Sequence, residues 1–176
     1  MKSDVIVVNK DGTGFTAAIE GAKKASKYEG LSNKSALHVQ LITEEMLSLA
    51  SIVTGSETTS FWIETDGKKF TFHLSTKTVM DQEKKSALLS AATSRKNEAA
   101  KSFLGKLRDA FENAMLTDPD HSEDIPEDVM GDLANHEISD TEWDGYERSV
   151  LHRLADEIKI AIRGGVVDMT VAKKME

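Results

Sequence analysis

The sequence predicts an α/β fold of the α+β kind, a two-layer sandwich in which helices cover one face of a mixed, mainly antiparallel sheet. Three observations predict it. β-branched and aromatic residues alternate with polar ones in short runs bounded by glycine turns, and elsewhere apolar residues recur at spacings of three and four. These patterns follow one another as strand, helix, helix, hairpin, helices, loop, helix, hairpin. Two hairpins make antiparallel pairing dominant. At 176 residues, 39% hydrophobic and 30% charged, the chain is sized for one domain, 1–176, with its own core.

Val5 to Val8 form a first strand that ends at Asn9-Lys10-Asp11-Gly12. Phe15, Ala18, Ile19, Ala22, Ala25 and Tyr28 then mark one face of a helix that Gly30 stops. Ser32 or Asn33 caps a longer helix running to about Val53, with Gly55 just beyond. Thr58–Glu64 and Lys68–Thr76 read as strands joined by Asp66-Gly67, the signature of a type I′ hairpin. Phe70, Phe72 and Leu74 alternate with Thr71, His73 and Ser75, so one face of this sheet is apolar and the other polar. Asp81-Gln82-Glu83 opens a shorter helix to about Ala92, its carboxylates placed at the positive end of the helix dipole.

After the polar break Ser94-Arg95-Lys96-Asn97, the residues Ala100, Phe103, Leu104, Leu107, Phe111, Ala114 and Met115 trace the clearest amphipathic helix of the chain. Trp143 to Leu154 suggest another helix. Ile158, Ile160 and Ile162 then alternate into Gly164-Gly165, and Val167, Met169 and Val171 complete the second hairpin.

The net charge of −8 is unevenly placed. From Asp118 through Asp144 there are 11 acidic residues and no Lys or Arg, and both prolines, Pro119 and Pro126, fall there too. This stretch reads as an acidic insertion at about 117–142, either a solvated loop or a carboxylate-rich arm for a basic partner or divalent cations. It carries no Asp-x-Asp-x-Asp-Gly calcium loop. An acidic chain is poorly suited to general nucleic-acid binding, which draws its affinity from Lys and Arg on phosphates. No apolar run reaches the roughly 20 residues of a membrane span, and the N-terminus lacks the apolar core of a signal peptide, so a cytoplasmic protein is expected. With no cysteine there is neither a disulfide framework nor a thiol nucleophile.

Gly12-Thr13-Gly14-Phe15-Thr16-Ala17 fits the dinucleotide-binding pattern G-x-G-x-x-A, but the following helix leads into another helix instead of a second parallel strand. His38, His73, His121, His136 and His152 are scattered without metal-ligand spacing, so no metal site is expected. Neither a G-x-S-x-G elbow nor an S-x-x-K pair is present. Phe61, Trp62, Phe70 and Phe72 at hairpin spacing are expected in the core, with base stacking as the other use of such rings.

One acid stands out. On the second helix the apolar arc contains Leu37, Val39, Leu41, Ile42, Met46, Leu49, Ile52 and Val53, with Glu45 inside it and Glu44 at its edge. A partly buried carboxylate needs a hydrogen bond, a partner or a task. Glu45 is therefore either bonded to a neighbouring amide or Lys, or a general base facing a ligand at the sheet surface.

The segment LHVQLITEEMLSLASIVTG, followed by the hairpin FWIETDGKKFTFHLS, resembles the start of the GHKL (histidine kinase-like) ATPase superfamily, and ADEIKIAIRGGVVDMTVAKK resembles the closing strands of its anti-sigma-factor-kinase-like branch. The resemblance covers most of the chain outside residues 118–142 and implies the histidine kinase-like ATPase fold. In that family a helix carries a Glu that activates water and, four residues later, an Asn that holds magnesium. Glu45 matches the first position and becomes the candidate catalytic base, whereas Leu49 occupies the second. The adenine-binding Asp-x-Gly-x-Gly box is replaced by Leu74-Ser75-Thr76-Lys77-Thr78. Ser48, Ser75, Arg95, Lys96 and Asn97 are the candidate nucleotide contacts that the resemblance implies, Arg95 and Lys96 as charges for phosphates.

Two functions follow. The first is a degenerate GHKL-like regulatory or protein-interaction module without magnesium-ATP hydrolysis, acting on a protein partner and compatible with a homodimer. The alternative is an active ATP-binding protein of the anti-sigma serine kinase or ATPase type, with ATP or ADP and magnesium as its cofactors.

Overall fold

A computed structural model describes residues 1–56, 58–100 and 145–176. The expected helix from Ala100 to Met115, beyond Ala100 itself, and the acidic insertion at about 117–142 lie outside the described residues. The elements run β1 (Ile6–Asn9), α1 (Phe15–Tyr28), α2 (Asn33–Thr54), β2 (Thr58–Asp66), β3 (Lys69–Lys77), α3 (Gln82–Ala91), a 3₁₀ turn (Glu98–Ala100), α4 (Gly145–Leu154), β4 (Glu157–Arg163) and β5 (Val166–Lys174). The strands form one five-stranded sheet in the order β1-β2-β3-β5-β4. Among the described residues every strand pair is antiparallel, and parallel pairing is confined to a bridge between Asn97 and Ile160.

The alternation in the strands places one set of side chains inward. Phe61 and Ile63 of β2, Phe70, Phe72 and Leu74 of β3, Ile158, Ile160 and Ile162 of β4, and Val167, Met169 and Val171 of β5 are all buried. Helices close over this face. α1 turns the small residues Ala18, Ala22 and Ala25 inward, which lets it approach the sheet and α2 closely, and α2 contributes Val39, Ile42, Met46 and Leu49. Burying a side chain of Phe, Ile or Leu size stabilises the fold by about 1.5–3 kcal/mol, so this shared core is the main reason the two layers stay together. The result is the α+β two-layer sandwich with the helices on one face.

The caps follow their residues. The Ser32 hydroxyl accepts from the Ser35 amide at the start of α2, and Gly55 takes the left-handed conformation, φ 56°, at its end. Asp81 caps α3 by accepting from the Lys84 amide. The apolar stripe of α2 is narrower than expected. Leu37 lies off the row defined by Val39, Ile42, Met46 and Leu49 and is 54% exposed.

The two hairpins differ in their turns. Asp66 pairs with Lys69, so the two central residues are Gly67 and Lys68, not Asp66 and Gly67. Only Gly67 has a positive φ, 57°, whereas a type I′ turn needs positive φ at both positions; a glycine first is the mark of type II′. The second hairpin has Gly164 at φ 51° and Gly165 at φ 82°, meeting the type I′ requirement.

Candidate functional site

α2 lies across the inner face of the sheet and carries both candidates that the sequence places on it. Glu45 and Ser48 are half-buried, three residues apart on one side of the helix, and neither is without a partner. Glu44 is exposed. One turn beyond Glu45, Leu49 is only 2% exposed and belongs to the hydrophobic core. The position to which the resemblance assigns a magnesium-holding Asn is therefore filled by an apolar side chain seated among others.

Ser75 is elsewhere. Phe72, Leu74 and Thr76 of β3 point inward, so Ser75 points to the opposite face, where its hydroxyl donates to Asp168 Oδ1 on β5 at 2.6 Å. The sheet separates it from α2.

Arg95, Lys96 and Asn97 share a loop along the edge of β4 that faces away from β5. The Ile158 amide donates to Thr93 Oγ1 at 2.7 Å and the Thr93 amide to the Ile158 carbonyl at 2.9 Å. Asn97 is 6% exposed and grips Ile162 twice, its Nδ2 donating to the carbonyl at 3.0 Å and its Oδ1 accepting from the amide at 2.9 Å. The same Oδ1 accepts from the Ala99 amide. A side-chain amide has the donor and acceptor of a peptide unit, so Asn97 pairs the edge strand as a further strand would. Arg95, with φ 53°, and Lys96 are exposed on the turn that presents Asn97.

The Gly12–Phe15 loop also has a packing role. Gly14 caps α1 at φ 89°, and a Cβ there would sit 2.0 Å from the Val7 carbonyl oxygen. Its glycine allows close approach of the loop to β1, and the next element is α2, not a second parallel strand.

A second constellation occupies the outer face of the sheet. Trp62, Glu64, His73 and Lys2 meet there, and beside them the N-terminal segment and the β2–β3 hairpin border an open depression of about 370 Å³ lined by Lys2, Glu64, Asp66, Lys69 and Thr71 among others. Phe61, Phe70 and Phe72 are in the core as expected, but Trp62 is on this outer face because it alternates with Phe61 and Ile63. Even spacing was the signal that could have separated it from the phenylalanines. Among the described residues no group of three or more His, Asp or Glu side chains is placed to hold a metal ion, and no helix is long and apolar enough to cross a membrane. No protein-family model matches the chain, and no curated protein matches its sequence.

Proposed function

We propose that this chain is a GHKL-type, histidine kinase-like ATPase-fold domain that acts as a regulatory or protein-interaction module without magnesium-ATP chemistry. The observation that carries this reading is the burial of Leu49 one turn after Glu45. A core leucine offers magnesium no oxygen and cannot leave its site without opening a cavity. Two further placements support it: Asn97 is committed to the backbone of Ile162, and Ser75 is engaged by Asp168 across the sheet from α2. The partner is a protein, reached from a cytoplasmic location, and a second copy of the chain is compatible with that role.

A thermal-shift series with ATP and ADP, with and without magnesium, tests this. A ligand that binds only the folded form at 100 times its Kd stabilises it by about 2.7 kcal/mol, a shift of several degrees for a domain this size. A flat series is expected; a shift that requires magnesium would contradict the proposal.

The half-burial of Glu45 favours the second reading, an active ATPase or serine kinase in which Glu45 takes the proton and Arg95 or Lys96 meets phosphate. ATP turnover abolished by Glu45→Gln would establish it, and turnover unchanged in that variant would remove Glu45 from the chemistry.

A further inference from the structure

The outer-face cluster has a polar group left over. Trp62 and His73 are directly opposed on β2 and β3, and their rings stack with centroids 4.9 Å apart and planes 7° from parallel. Lys2 approaches from the N-terminal segment, which bridges β2 at Glu64, its ammonium 5.6 Å from the Trp62 ring centroid. Glu64 joins the three: Oε1 is 3.0 Å from Lys2 Nζ and accepts from Trp62 Nε1 at 3.3 Å, while Oε2 lies 3.6 Å from His73 Nε2. That nitrogen is buried and has no hydrogen-bond partner among the described residues. Burial is the main reason His73 holds a proton less tightly than an ordinary histidine; Glu64 opposes the effect and the Lys2 charge adds to it.

We propose that this cluster is a proton-operated latch on the N-terminal segment, in which a proton taken from solvent onto His73 Nε2 draws Glu64 to the imidazolium and undocks Lys2 from the sheet. With neutral His73 one carboxylate faces one ammonium, and the pair is balanced. A second cation on the same carboxylate leaves an excess positive charge, and the side chain free to leave is Lys2, 62% exposed, because His73 is fixed in the ring stack at 21%. Lys2 sits between two residues whose backbones continue the sheet, the Ser3 amide donating to Ile63 and the Thr65 amide to Met1. Losing its anchor loosens that stretch.

The other groups near His73 are already engaged. On β5 its direct partner is Thr170; Asp168, two residues on, is held by Ser75. On β4, Lys159 lies across Thr170 and is paired with Glu157. Thr71 and Ser75 flank His73 on its own strand and do not titrate. The switch therefore involves Glu64 and Lys2.

Coupling between two events is reciprocal: if docked Lys2 disfavours protonation of His73, protonation disfavours docking by the same factor. A histidine NMR titration measures this, with the His73 signal assigned by its loss in His73→Phe, a variant that keeps the stacked ring. Lys2→Met is expected to raise the His73 pKa by about 0.3 pH unit or more, a coupling of about twofold. In the unaltered chain the Ser3 and Thr65 amides, corrected for intrinsic rates, are expected to exchange at least about twofold faster once His73 is protonated, and in His73→Phe they are not. A His73 titration unmoved by Lys2→Met, or amide exchange that accelerates equally in His73→Phe, would overturn the proposal.

Discussion

Leu49 and His73 show how single side chains constrain what this molecule does. Leu49→Asn would restore the residue type that the family resemblance assigns to magnesium, but the structure places it in the core. The substitution is expected to cost about 3 kcal/mol or more, since it removes packed methyl groups and buries an amide, and to confer no magnesium binding. Urea unfolding of the variant, with and without magnesium, checks both parts. For His73, burial lowers the folded-state pKa below its ordinary 6.5. The neutral form is the one the fold favours, so its contribution is fully present above about pH 6.5 and is lost as pH falls from there through the folded pKa. Unfolding free energy measured from pH 7.5 to 5 is expected to decline in the unaltered chain and to decline less in His73→Phe. Glu64 and Asp156 are held below the ordinary carboxylate range, chiefly by hydrogen bonds from Lys2 and Lys173 respectively, so their contributions are lost only at lower pH.

At the scale of elements, edges and turns decide what is tolerated. β4 is an edge strand, and Asn97 closes it with two bonds to Ile162. Asn97→Ala is expected to destabilise the fold by about 1–3 kcal/mol and to speed exchange of the Ile162 amide more than that of Phe72 in the sheet interior. Gly14→Ala places a methyl 2.0 Å from the Val7 oxygen at a positive φ, and is expected to lower the urea midpoint by the equivalent of more than about 1 kcal/mol. Periodicity made the elements legible: α1 spans Phe15–Tyr28 as its three-and-four spacing predicts, and both hairpins are where alternating residues meet glycine. The turn of the first hairpin lies one residue beyond the Asp66-Gly67 pair that its sequence signals as type I′, because strand pairing extends through Asp66. The strand-like role of residues 93–97 was illegible for a different reason, since one side-chain amide leaves no period in the sequence.

For the whole molecule, the two-layer sandwich was legible because alternation in the strands and stripes on the helices both demand a single shared core. The candidate site was legible only in part. The helical phase of Glu45 puts it on the inner layer, and it is half-buried there, but which face of a sheet a polar residue such as Ser75 joins follows from register, and what Arg95 and Lys96 accompany follows from an edge that sequence does not reveal. The proposed function rests on a core leucine, Leu49, at the position to which the family resemblance assigns a magnesium-holding Asn. Isothermal titration calorimetry of the full chain with ATP in the presence of magnesium tests it most directly. No saturable heat is expected at ligand concentrations up to ~1 mM, which bounds binding at about −4 kcal/mol or weaker; micromolar binding that disappears when magnesium is withheld would contradict it.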